Sequence, residues 1–115
     1  MSLPSEANRR TAARRPYVNF IWYRVLGDHA DEGVARSCDL SSTGIGVVTP
    51  RDLAVGTLLM LEVMTTAGNL SAVAKVCHTR SAEGGCFRLG LELEAMPPND
   101  RRLWSELTSR PPSSR

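Results

Sequence analysis

Two short groups of residues in this 115-residue chain have the types and spacing for ligand chemistry. The first is Arg9-Arg10-Thr11-Ala12-Ala13-Arg14, an RRxxxR run followed by a further arginine, Arg15. A guanidinium is planar and permanently charged. It forks onto phosphate oxygens or a purine edge, and it stacks on flat rings. Arg10 and Arg14 are four apart, so one turn of coil brings both to a single ligand, while Arg9 points elsewhere. The second group is Asp39-Leu40-Ser41-Ser42-Thr43-Gly44, a DxSxxG at a turn between two extended runs. A carboxylate only accepts hydrogen bonds, whereas a serine hydroxyl both donates and accepts. A glycine lets the backbone approach a ligand with no Cβ in the way. In an extended strand Asp39 and Ser41 face the same side. Each group alone also has a plainer reading. Clustered arginines are usually a solvated basic arm, and Asp, Ser and Gly between strands usually serve the turn itself.

Charge is unevenly distributed. Of the 14 basic residues only Lys75 is a lysine. Residues 1–16 hold four arginines against Glu6, a net +3, and the other ten basic and eleven acidic residues leave −1. The net charge of +2 therefore belongs to the first segment. A near-neutral body is not that of a protein that coats nucleic acid, and no polymeric nucleic acid partner is expected. Nothing points to catalysis: there is no carboxylate pair with an acid/base role, no Ser–His–Asp order and no glycine-rich phosphate loop with a lysine. The expectation is a binding protein, not an enzyme, with no cofactor. Cys38, Cys77 and Cys86 are odd in number and form no CxxC. Cys77-His78 with Cys86 fits no zinc spacing, so no metal is expected and a reducing cytoplasm is the simpler context. His29 lies in a polar stretch and reads as solvated. No apolar run approaches the roughly 18 residues of a membrane span, and no apolar stretch follows Met1.

The elements that must position these groups are short. Strands are predicted over residues 17–25, 34–40, 45–49, 57–64, 70–80 and 86–94. The last is the cleanest, with Phe87, Leu89, Leu91 and Leu93 on one face and Arg88, Glu92 and Glu94 on the other. After Pro97-Pro98 the period changes: Leu103, Trp104 and Leu107 recur at helical spacing, which predicts a helix over 98–108. Six short strands and one helix suggest a small barrel or sandwich with one open end covered. Tyr17, Phe20, Trp22, Tyr23, Phe87 and Trp104 read as core or barrel-end packing. The chain divides into a flexible basic arm (1–16), a β-domain with its C-terminal helix (17–109) and a polar tail (110–115).

Taken together and in this order, these features resemble the PilZ domain, the bacterial receptor module for cyclic di-GMP. The features are the RRxxxR ahead of the first strand, the DxSxxG between the second and third, the Gly90-Leu91-Glu92-Leu93 of the last strand, and the closing helix. The resemblance covers most of the chain, and no motif position departs from the pattern, though Arg15 could share the role of Arg14. It implies an all-β fold with one C-terminal helix, a six-stranded antiparallel PilZ-type β-barrel. It also implies a stand-alone cyclic di-GMP receptor and effector, with Arg9, Arg10, Arg14, Asp39, Ser41 and Gly44 as ligand contacts. That ligand carries two phosphodiester charges and two guanines, whose N1–H and N2–H₂ donors suit the Asp39 carboxylate. Paired arginines in the family often hold two intercalated copies. The signal implied is ordering of the arm on binding, read by a downstream protein partner. The alternative is a PilZ-like adaptor that binds protein and no nucleotide. A barrel for single-stranded nucleic acid would call for an aromatic stripe on an exposed strand face, which is not expected here.

Overall fold

Alternate residues turn inward along most strands and meet in one core. Ile21 and Tyr23, Ile45 and Val47, Leu59, Leu61 and Val63, Leu70, Ala72, Ala74 and Val76, and Leu89 and Leu91 are all buried. The computed structural model describes residues 15–27, 31–65 and 68–109. Arg9, Arg10, Arg14 and His29 lie outside the described residues. The elements are β1 (Arg15–Pro16), β2 (Phe20–Val25), β3 (Glu32–Leu40), β4 (Gly44–Thr49), β5 (Leu58–Thr65), β6 (Gly68–Ser81), β7 (Phe87–Ala95) and α1 (Pro98–Ser109). A single 3₁₀ turn, Glu83–Gly85, joins β6 to β7.

All pairings are antiparallel, and they run β3-β2-β5-β6-β7-β4 before β4 returns to β3. β2–β7 thus form a closed six-stranded barrel, which leaves no edge in the ring. The two-residue β1 adds to β3 outside it, with Arg15 opposite Leu40 and Pro16 opposite Asp39. Strand and helix boundaries fall within a few residues of those predicted, and periodicity left open the choice of barrel over sandwich that the β3–β4 ladder makes.

α1 closes one end. Trp104 is buried in the core, with Leu103 and Leu107 half-buried beside it. The Trp104 indole Nε1–H donates to the Ser41 carbonyl at 3.0 Å. At the helix start the Asp100 carboxylate accepts from the Ser71 amide at 2.8 Å. The helix is therefore fastened both to β6 and to the turn that carries the DxSxxG.

The segment that leads out of β1 is also fastened. The Tyr17 amide donates to the Cys38 carbonyl, and the Ser37 amide to the Asn19 carbonyl. The fully buried Ser37 hydroxyl accepts from the Asn19 amide at 2.9 Å and donates to the Tyr17 carbonyl at 2.6 Å. The Tyr17 hydroxyl and the Asn19 side-chain amide both donate to the Met64 carbonyl. Ser37 is a polar residue inside an apolar barrel because its hydroxyl ties this otherwise irregular stretch to β3.

Two assignments differ from the sequence reading. Phe20 is 59% exposed. Trp22 also points outward, half-buried, with the Arg24 guanidinium 5.6 Å from its ring centroid. β2 is apolar on both faces, so alternation alone could not say which face closes on the core. The interior takes Ile21 and Tyr23.

Candidate functional site

A two-versus-one mismatch in strand pairing decides which way Asp39 points. In β3, Ala35 and Ser37 face inward. Simple alternation would then put Asp39 inside as well. The register against β4 instead slips between Ser37 and Asp39: Ser37 pairs with Val47, Asp39 with Gly46, and Cys38 is the extra residue. This β-bulge turns Asp39 outward and returns Leu40 to the core. β6 repeats the device. Val76 is buried and pairs with Leu91, then the register slips at Cys77 so that His78 pairs with Gly90 and Arg80 with Arg88. His78 and Arg80 consequently face solvent on the side to which Asp39 points.

The two bulges bound a groove on the outside of the barrel, across β3, β4, β7 and β6. It is lined by Asp39, Gly46, His78, Arg80, Arg88 and Gly90. Its floor is main chain, because Gly46 pairs directly with Gly90. A Cβ on Gly46 would lie 2.7 Å from Asp39 Oδ1, and one on Gly90 would overlap the His78 imidazole, which packs against that glycine. Asp39 forms an ion pair with Arg88 at 2.8 Å, the two side chains being 18% and 34% exposed. Beyond His78 a second hollow is lined by Thr43, Gly44, Cys77, Gly90 and Glu92. There Cys77 Sγ donates to Glu92 Oε1 at 3.5 Å, and burial, then the Glu92 carboxylate, raise the thiol above its ordinary pKa.

The described site residues do not all play the parts their types suggested. Asp39 stands on the groove wall. Ser41 does not share that face: β3 ends at Leu40, the chain turns, and Ser41 is only 2% exposed. Its hydroxyl accepts from the amides of Thr43 at 3.3 Å and Gly44 at 3.1 Å, and its own amide donates to the Gly44 carbonyl. Gly44 is required by packing, since a Cβ there would run into the Leu91 carbonyl of β7. Ser41 and Gly44 therefore build the turn that supports the rim. Arg88, Arg80, His78, Gly46 and Gly90 were not singled out from the sequence as a group. The available signal was a slip in the inward pattern, Ala35-x-Ser37-x-x-Leu40, which marks the first bulge.

β1 lies beside the same place. β1 sets Arg15 against Leu40 and Pro16 against Asp39, so the chain carrying the RRxxxR meets the barrel at the acidic rim.

A closed β-barrel with a helical plug, and with a basic, glycine-floored groove beside an incoming arginine segment, is the architecture of a small ligand-recognition domain. The chain belongs to the PilZ domain family, whose model matches residues 8–110. A search of curated proteins returns no significant match. Among solved structures, the chain is similar to the PilZ domain with c-di-GMP of YcgR from Escherichia coli: TM-score 0.68, 21% identity, 87% of this chain and 88% of that one. It is also similar to the inhibitor of motility MotI/DgrA of Bacillus subtilis (TM-score 0.70, 19% identity, 87% of this chain and 49% of that one). A third similarity is to the MrkH–c-di-GMP complex of K. pneumonia (TM-score 0.70, 13% identity, 86% and 50%). The chain spans about half the length of the last two proteins. No helix among the described residues is long and apolar enough to cross a membrane.

Proposed function

We propose that this chain is a cyclic di-GMP receptor, in which Arg9, Arg10 and Arg14 close over the outer barrel face and Asp39 accepts from a guanine edge. The observation that carries this reading is the register of β1, which roots the arginine segment against Leu40 and Asp39. Family membership and similar domains seen with c-di-GMP support it. Ser41 and Gly44 contribute by shaping the turn, and the Ser41 hydroxyl retains a proton to donate. Binding orders the arm, and several charge-assisted hydrogen bonds offset the entropy lost. The surface made by arm, nucleotide and barrel is what a downstream protein would read.

Titration calorimetry with cyclic di-GMP is the test. Saturable binding is expected, lost in Arg10→Ala and in Arg14→Ala and strongly weakened in Asp39→Ala. Absence of heat with the wild-type protein, together with retention of a protein partner, would establish the adaptor instead. Equal affinity for any oligonucleotide with a steep salt slope would establish a single-strand binder.

A further inference from the structure

Arg80 and Arg88 stand directly opposite each other across the β6–β7 ladder, and both line the groove. Cross-strand partners have Cβ atoms about 5 Å apart, and like charges so placed are destabilising. Arg88 is partly neutralised by Asp39, but among the described residues no carboxylate pairs with Arg80. The second bulge brings Arg80 to this face: without the extra residue at Cys77, the alternation set by Val76 would point it inward. Between the two guanidinia and Asp39 the floor is the bare backbone of Gly46 and Gly90, where a flat or bulky group can lie close.

We infer that the Arg80–Arg88 pair is an anion clamp for a phosphodiester of the bound nucleotide, on the wall of the groove opposite the arm. The inference rests on the cyclic di-GMP reading and adds a binding subsite to it. An anion fits better than a guanine edge, because only a negative charge relieves the repulsion between the two cations. A phosphodiester offers two non-bridging oxygens, one for each fork. Arg88 has donors left over after its bond to Asp39, and among the described residues the Arg80 guanidinium donates to none. The ligand is then gripped from both sides, by the arm at β3 and by the ladder at β6–β7.

The experiment compares wild type, Arg80→Gln and Arg80→Lys by calorimetry with cyclic di-GMP at several salt concentrations, with thermal melts of the ligand-free proteins. Arg80→Gln is expected to weaken binding at least tenfold and to flatten the salt dependence, while the ligand-free melting temperature stays the same or rises. Arg80→Lys restores the salt dependence but only part of the affinity, because an ammonium does not fork. Wild-type binding in Arg80→Gln, with an unchanged salt slope, would overturn the clamp and leave the receptor reading intact. A weakened affinity accompanied by a lower melting temperature would overturn it in favour of a structural role. No binding by the wild-type protein would sink the receptor reading and the clamp with it.

Discussion

Trp104→Phe is the sharpest probe of how the rim of the groove is held. The indole of Trp104 is 2% exposed, and its N–H satisfies the carbonyl of Ser41, a residue equally buried. Phenylalanine keeps the ring but removes the donor, leaving a buried carbonyl unpaired, which costs about 1–3 kcal/mol. The lost half of the bicycle leaves a void or forces repacking, about 1 kcal/mol more. The expected loss is ~2–4 kcal/mol, which for a domain of this size lowers the melting temperature by roughly 10–20 °C. Urea unfolding followed by the fluorescence of the remaining Trp22 measures it. The reasoning also fixes a contrast: Ser41→Ala keeps the carbonyl and the indole bond, removes only the hydroxyl that accepts from the Thr43 and Gly44 amides, and should cost about 1 kcal/mol. A Trp104→Phe protein within 0.5 kcal/mol of wild type, or one less affected than Ser41→Ala, would refute the view that the helix holds the rim through this bond (the limit is that of an ordinary surface change, about 0.5 kcal/mol).

The groove glycines separate fold from binding. Gly44→Ala drives a Cβ into the Leu91 carbonyl, which is backbone and cannot step aside, so the β4–β7 seam should open and thermal melts should show a loss of about 2 kcal/mol or more. In Gly46→Ala the obstacle is the mobile Asp39 carboxylate, so the stability cost should stay near 1 kcal/mol, the worth of a partly exposed ion pair, while calorimetry shows nucleotide affinity falling. Burial and the Glu92 carboxylate hold Cys77 protonated beyond the ordinary thiol range, so its thiolate fraction at pH 8 is low. Iodoacetamide labelling of Cys77, followed by peptide mass spectrometry, should therefore be slower than that of a free thiol. Glu92→Gln should speed it only in part, because desolvation remains.

The parts of this molecule that obey a period were legible in the sequence. Phe87, Leu89, Leu91 and Leu93 alternate without interruption, and Leu103, Trp104 and Leu107 mark a helix face. The site was legible only where chemistry and motif coincide. Asp39 stands out by type, yet its outward direction comes from the Cys38 bulge, for which the broken spacing Ala35-x-Ser37-x-x-Leu40 is the only trace and the cysteine itself none. The same holds for Cys77, which aims His78 and Arg80. The turn role of Ser41 was not separable in sequence from a ligand role: a Ser–Gly turn looks the same whether or not a ligand also uses it. Phe20 reads as core or barrel-end packing because aromatic residues usually are buried, and in β2 both faces are apolar.

Reach decides whether binding needs the barrel to change shape. Extended chain covers at most about 3.4 Å per residue, so Arg10, five residues before Arg15, can stand up to ~17 Å from β1, and Arg14 no more than ~4 Å. Crossing from β1 over β3, β4 and β7 to β6 takes four strand spacings, about 19 Å. Under the cyclic di-GMP proposal Arg14 acts beside β3, Arg9 covers that distance and Arg10 does so with its side chain extended, which brings both to a ligand on the Arg80–Arg88 wall. No strand has to move. The closed ladder with its buried core is unsuited to moving, since every shift of one strand breaks hydrogen bonds in two neighbours. Hydrogen exchange should therefore slow on nucleotide binding in residues 9–16 and at the groove edges of β3 and β6, with β2 and β5 unchanged. Broad protection across β2 and β5 would mean that the ligand remodels the barrel and that reach alone does not account for binding.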